Sequence, residues 1–168
     1  MRLEQATKEQ RDIANIKALY ERAFPENERH PFEVICDEKK EQVEILAFYE
    51  EEVFCGFVVL LNCNGIAHIV YFSIEEELRN HGYGSKVLQC VHEAKKESRV
   101  IVDIERVTNH CSNAEQRMKR KQFYLRNGYE ETEVKYRWRG DDYEKLSYGG
   151  TITKKEFGDF WDTLKFII

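Results

Sequence analysis

The stretch that most restricts the fold runs from Phe57 to Ile74. It is apolar enough to raise the question of a membrane span, but Asn62, Asn64, Gly65 and His68 interrupt it. Asn64-Gly65 is a hairpin signal, because both residues tolerate positive φ. The stretch therefore predicts two antiparallel strands, Val53 to Leu61 and Ile66 to Ile74, with Asn62-Cys63-Asn64-Gly65 between them. Val43 to Tyr49 is a third strand-like run just upstream, so the centre of the chain reads as a meander.

After the meander the pattern alternates. Ser85 to Lys96 places Val87, Leu88, Val91 and Ala94 at helical spacing, and Arg99 to Val107 reads as a strand. The continuous Val100-Ile101-Val102 at its start predicts burial on both faces. Asn113-Ala114-Glu115-Gln116 is a capping box that opens a helix running to about Asn127 and closing at Gly128. Two strands follow, near Glu131 to Trp138 and Tyr143 to Ser147, joined across Arg139-Gly140-Asp141-Asp142. Thr153-Lys154-Lys155-Glu156 caps a terminal helix with Phe157, Phe160, Trp161, Leu164 and Phe166 or Ile167 on its apolar side. At the other end, a strand over residues 2–6 leads to a capping box at Thr7-Lys8-Glu9-Gln10. The helix after it places Ile13, Ile16, Leu19, Tyr20 and Phe24 on one face and stops before Pro25. Pro25 to Pro31 is a polar loop, and Phe32 to about Lys40 holds a short helix. The order β-α-(α)-β-β-β-α-β-α-β-β-α predicts an α/β (α+β) fold: a mixed, mostly antiparallel twisted sheet of about seven strands flanked by helices, with a C-terminal amphipathic helix. Neither a Ser/Gly-rich linker nor a repeat interrupts it, so residues 1–168 read as a single domain.

Composition narrows the chemistry. A chain of 168 residues buries roughly 70% of its unfolded surface, so its core needs neither metal nor disulfide. The five cysteines, Cys36, Cys55, Cys63, Cys90 and Cys111, are odd in number and lack C-x-x-C spacing, which points to reduced thiols and no structural metal. No apolar h-region follows Met1-Arg2-Leu3-Glu4-Gln5, so the expected location is the cytoplasm, with no membrane partner. The net charge of −5 removes the bulk footprint of a nucleic-acid binder. Nucleic-acid binding through the one cationic helix, 113–127, would demand a steep salt dependence.

Arg79-Asn80-His81-Gly82-Tyr83-Gly84-Ser85 lies between the strand ending at Ile74 and the helix beginning near Ser85. Glycines at 82 and 84 let the backbone approach a ligand, and the free N–H groups and dipole of the helix start suit a pyrophosphate. It is not a Walker A loop, because no Gly-Lys-Ser/Thr follows, and it lacks the third glycine of the dinucleotide fingerprint. On its own, R-x-x-G-x-G also describes a plain tight turn.

In this position the loop resembles the acetyl-CoA signature of the GNAT superfamily of N-acetyltransferases, Arg/Gln-x-x-Gly-x-Gly/Ala at a strand-to-helix turn. Gln122-Phe123-Tyr124-Leu125-Arg126-Asn127-Gly128-Tyr129 resembles the family's second motif, a helix ending at glycine with an aromatic starting the next strand. The element order agrees over essentially the whole chain. The resemblance implies acetyl-CoA as co-substrate, no metal, and transfer of acetyl to a primary amine of a small molecule or peptide by direct attack in a ternary complex. It implies that Arg79, Asn80, His81, Gly82, Tyr83, Gly84 and Ser85 cradle the pyrophosphate. Phe72 and Ile74 offer backbone groups to the pantetheine arm, and the thioester enters where that strand splays from Val100 to Glu105. Tyr124 matches the tyrosine that protonates the leaving thiolate.

Two features depart from the family. Where members often carry a Glu on the strand before the loop, His68-Ile69-Val70-Tyr71-Phe72 has no carboxylate. The base is then His68, whose ordinary pKa suits the work, Glu105 at the end of the next strand, or a water chain to solvent in place of either. The missing carboxylate also leaves open a catalytically inactive acyl-CoA-binding regulatory module. Where members place an Asn before the tyrosine, the chain has Arg117. Ala114, Arg117, Lys121 and Tyr124 form one helical stripe, which would put Arg117 and Lys121 in reach of pantetheine or phosphate. Glu26 and Glu28 in the polar loop would attract a cationic acceptor, and an exposed last helix would give a homodimer surface.

Overall fold

The computed structural model describes residues 1–9 and 11–167. Seven strands form one sheet: β1 (Arg2–Gln5), β2 (Val43–Glu50), β3 (Val53–Cys63), β4 (Ile66–Ile74), β5 (Arg99–Glu105), β6 (Glu130–Trp138) and β7 (Asp141–Tyr148). Their order is β1-β2-β3-β4-β5-β7-β6, and of the six pairings only β4 with β5 is parallel. The helices are α1 (Ile13–Ala23), α2 (Phe32–Ile35), α3 (Tyr83–Ala94), α4 (Ala114–Arg126) and α5 (Lys154–Leu164). The expected mixed, mostly antiparallel sheet with flanking helices is the observed one. Among the described residues no helix is long and apolar enough to cross a membrane.

The meander follows its sequence signals. Asn64 (φ 51°) and Gly65 (φ 72°) both take left-handed conformations in the β3–β4 turn, the twist that suits a two-residue hairpin. Alternation then sorts side chains to two faces. Leu46, Phe48, Val58 and Leu60 pack with Val87, Leu88 and Val91 of α3, whereas Ile45, Ala47, Phe57 and Val59 pack with Ile16, Leu19 and Tyr20 of α1. Val100 and Val102 of β5 face α3 and α4 while Ile101 faces α5, so this strand is buried on both faces as its continuous apolar run predicts.

The helix starts separate good capping from nominal capping. Thr153 has extended backbone, and its hydroxyl accepts from the Glu156 N–H at 3.1 Å, the geometry an N-cap requires. Asn113 has φ −114° and ψ 32° and makes no such bond, so the second capping box is one in sequence only. The first, Thr7-Lys8-Glu9-Gln10, includes Gln10, outside the described residues; α1 itself begins at Ile13, behind Asp12. Helix α3 begins at Tyr83 rather than Ser85, because left-handed Gly82 (φ 82°) is its cap and puts Gly84 and Ser85 inside the first turn. On α5, Phe160 and Leu164 are buried, but Trp161 is half exposed and Phe166 lies beyond the helix in solvent.

Candidate active site

The parallel pairing of β4 with β5 is short. It joins Ile66–Ile69 to Arg99–Val102 and stops. A register shift against β3 at Val59/Leu60 leaves Val70 without a partner residue, and beyond this bulge β4 continues to Ile74 and β5 to Glu105 without meeting. A bulge bends the strand that carries it and ends the regular ladder. The result is a wedge-shaped opening in the middle of the sheet, with α3 starting just past the end of β4.

On the α3/α4 side this opening continues into a cleft of about 1410 Å³. One wall is Phe72, Ser73 and Ile74; another is Arg79, Asn80, Gly82, Gly84 and Ser85; the third is Gln116, Lys119, Arg120, Gln122, Phe123 and Arg126 of α4. The backbone amides of Tyr83, Gly84 and Ser85 belong to the first turn of α3, which has no intrahelical acceptors for them. Gly84 is held close: a Cβ there would lie 3.1 Å from the Phe123 ring. The Arg79 guanidinium ties the loop to the strand, donating from Nε to the Ile74 carbonyl at 3.0 Å. His81 and Tyr83 do not line the cleft. Their side chains turn outward to a separate hollow of about 310 Å³ with Glu77, Leu78 and Lys86.

Helix α4 presents a different face to the cleft from the one its sequence stripe suggests. Arg117 and Lys121 point across to β5–β7. Arg117 lies with Nε 3.0 Å from Glu105 and donates from Nη2 to Asp141 at 3.1 Å. Lys121 pairs with Glu131 and, at 3.1 Å, with buried Glu144. Both side chains are committed to carboxylates, so neither reaches into the cleft as the stripe suggested. The cations that α4 turns to the cleft are instead Lys119, Arg120 and Arg126, joined there by Arg22 and Arg79 from other elements, and Lys119 is paired with Glu115. Tyr124, on the Arg117 side, is 8% exposed and packs edge-on against Phe123 and Tyr129. Burial pushes its phenol up to about 12, the Arg120 charge pulls the other way, and the Asp103 carboxylate adds to the rise.

His68 lies on the opposite face of the sheet, under α5. Its Nε2 is 2.7 Å from Asp103 Oδ2, and its ring meets Phe160 edge-on. Asp103 Oδ1 accepts from the Lys145 ammonium and, at 2.8 Å, from the Tyr136 hydroxyl. Three side chains, from β4, β6 and β7, thus share the one carboxylate of β5. Burial opposes ionisation of Asp103, yet Lys145 and His68 hold its carboxyl well below the usual range. Burial, then Lys145, push the His68 pKa down against Asp103. An ionised Asp103 donates nothing, so neutral His68 must carry its proton on Nε2; Nδ1 is buried without a hydrogen-bond partner among the described residues. Glu105, by contrast, sits against Arg117.

Sequence reasoning missed Asp103, Lys145 and Tyr136 as a unit, and Lys119, Arg120 and Arg126 as the cleft cations. A signal for the first existed: Glu144 and Lys145 stand in a strand between two others, where no charge remains unpaired. The polar loop is also pinned. His30 Nδ1 lies 2.9 Å from the Tyr71 hydroxyl of β4, and Arg139 of the β6–β7 turn donates to the Asn27 carbonyl.

The profile of the acetyltransferase (GNAT) domain matches residues 41–131, more than half of the chain. The chain belongs to the GNAT acetyltransferase family. Among solved structures, a GNAT-family acetyltransferase from Bacteroides thetaiotaomicron superposes with a TM-score of 0.80 at 20% identity, covering 98% of this chain and 96% of its own. The aminoglycoside 6'-N-acetyltransferase of Enterococcus faecium gives 0.66 at 10% identity, covering 88% and 96%. A Bacillus subtilis acetyltransferase in complex with CoA gives 0.56 at 17% identity, covering 88% and 97%. These likenesses establish the fold. No curated protein sequence matches the chain significantly.

Proposed function

We propose that the chain is an acetyl-CoA-dependent N-acetyltransferase that acts on a primary amine of a small molecule or peptide by direct attack in a ternary complex. The observation that carries this reading is the cleft, which joins the free amides of the α3 first turn to Phe72–Ile74, the part of β4 that lies beyond its last pair with β5. An elongated donor with a pyrophosphate at one end and a thioester at the other fits that continuity. The amides of Tyr83, Gly84 and Ser85 receive the pyrophosphate, aided by the helix dipole. The edge of β4 at Phe72–Ile74 pairs with the pantetheine amides, and the thioester carbon reaches the opening.

The acceptor nitrogen must arrive neutral, because an ammonium has no lone pair. It attacks the thioester carbon, the C–S bond breaks with its electrons on sulfur, and Tyr124 gives its proton to the thiolate. The proton lost by nitrogen passes to the hydrogen-bonded His68–Asp103 pair. Glu105, paired with Arg117, is the second candidate. Glu26 and Glu28 in the pinned loop favour a cationic acceptor.

The reading is tested by following thiol release from acetyl-CoA against a panel containing a polyamine, an aminoglycoside and a peptide with a free α-amine, with CoA binding measured alongside. Saturable, amine-dependent release supports it. CoA binding with no turnover on any amine would favour an acyl-CoA-binding regulatory module.

A further inference from the structure

The cluster around Asp103 is an expensive arrangement to bury. Lys145 is 1% exposed, its ammonium lies 4.0 Å from the Phe157 ring centroid, and burial pushes its pKa down. An ion pair in such surroundings is often no more stabilising than a well-packed apolar pair of the same volume. The unpartnered Nδ1 of His68 adds a further cost at the same spot. Costs concentrated in one place are a mark of a functional group.

Asp103 differs from its partners in one respect. His68 and Lys145 are enclosed, but the Asp103 side chain keeps 26% of its surface accessible. It is also the first β5 residue beyond the last pair with β4, Ile69 with Val102. Asp103 therefore stands at the edge of the opening in the sheet, on the face away from α4, and its charge is felt by the Tyr124 phenol. A carboxylate has about four lone-pair sites. Lys145 and Tyr136 occupy Oδ1 and His68 occupies one site on Oδ2, which leaves one acceptor site on Oδ2 unfilled. Two residues further along β5 stands Glu105, and across from it on β7 is Tyr143, whose ring stacks on Tyr136 at 5.5 Å. Burial raises the Tyr143 pKa, and the charges of Glu105, Asp141 and Glu28 add to the rise against that of Arg117, so the β5–β7 end beyond Asp103 is aromatic and acidic.

We propose that Asp103 is the residue that holds the acceptor: the nitrogen of an aliphatic primary amine donates an N–H to the open site on Oδ2, with its chain along Tyr143. The inference rests on the transferase reading and adds to it the atom that receives the amine. Lys145 and Tyr136 are positioning residues, and His68 both fixes Oδ2 and shares the proton that the amine gives up. They fix both oxygens so that the one remaining lone pair points into the opening. Glu105 then acts at the rim, beyond the reacting nitrogen.

The test separates this role from a purely structural one. Asp103→Asn alone leaves Lys145 buried without a counter-charge and can fail for that reason, so it is paired with the double variant Asp103→Asn/Lys145→Met, in which no charge is stranded. Thiol release is measured with whichever panel amine the wild-type chain acetylates, together with CoA binding by calorimetry and the thermal midpoint. The double variant is expected to melt near the wild type, to bind CoA within about 3-fold, and to lose about 100-fold in kcat/KM for the amine, the worth of a hydrogen bond to a charged group. Recovery of amine kcat/KM to within about 3-fold of wild type in the double variant would show that the cluster is structural and overturn the proposal. Acetylation of no amine by the wild type would instead overturn the transferase reading and this proposal with it.

Discussion

The two sides of the opening between β4 and β5 are built in opposite ways. On the α3/α4 side the walls are glycine backbone, the rings of Phe24, Phe72 and Phe123, and cations, and the volume is about 1410 Å³. On the α5 side the same opening is floored by a carboxylate with three protein donors, and an ammonium group is wholly enclosed. The first side offers many loosely held donors to a large anion. The second offers one tightly held acceptor to a small donor. A reaction that brings a polyanionic thioester to an amine needs both, and the broken strand pairing is what lets the two sites reach one another through the sheet. The Tyr124 phenol feels both: burial raises its pKa most, the Arg120 charge lowers it and the Asp103 charge adds to the rise.

Substitutions on the two sides should therefore fail differently. The largest effect is expected from Gly84→Glu, which pushes a side chain into Phe123 and negative charge into the loop. CoA affinity measured by calorimetry should fall by at least about 100-fold, while overpacking lowers stability by about 1–3 kcal/mol. Undiminished affinity would remove the pyrophosphate from this loop. Tyr124→Phe should lower kcat by about 100-fold and leave CoA affinity within about 3-fold, because its hydroxyl acts only as the thiolate departs. A wild-type kcat would assign that proton to another group.

Neighbours on α4 sharpen the contrast. Arg120→Gln should weaken CoA by about 3–10-fold with little change in melting, the cost of one exposed charged contact. Lys121→Gln should do the reverse, leaving CoA affinity alone while lowering stability by about 2 kcal/mol, since Glu144 stays buried without its cation. Identical profiles for the two would mean that both face the cleft. A further contrast concerns pH. Burial lowers the pKa of His68, and that of His92 to about 4. The unfolded chain therefore takes up protons below about 6.5 that the folded chain refuses, and stability must fall as pH drops from about 6.5 toward 4. A thermal midpoint flat across that window would contradict the enclosure of these rings.

The order of elements along the chain was largely legible because its signals are local: the Asn64-Gly65 turn, the unbroken Val100-Ile101-Val102, and glycines at a strand-to-helix junction. The faces of α4 were not legible. Ala114, Arg117, Lys121 and Tyr124 do form a stripe, but periodicity gives the stripe and not its direction. Arg117 and Lys121 turn toward β5–β7 because Glu105, Asp141, Glu131 and Glu144 are there, a fact of tertiary pairing. The buried cluster was hidden for the same reason. His68, Asp103, Tyr136 and Lys145 come from four segments, and only the order β4-β5-β7-β6 brings them together. The alternation of Asp103 with Glu105 on β5 was visible; which of the two stays free for a ligand depends on Arg117.

The most direct test of the donor assignment is the backbone amide spectrum of isotope-labelled protein during titration with CoA. Saturable shifts should concentrate at Phe72–Ile74, Gly82–Ser85 and the 116–126 face of α4, and leave Lys145 and α5 little changed. Shifts confined to the α5 side, or a spectrum that does not respond, would contradict the account.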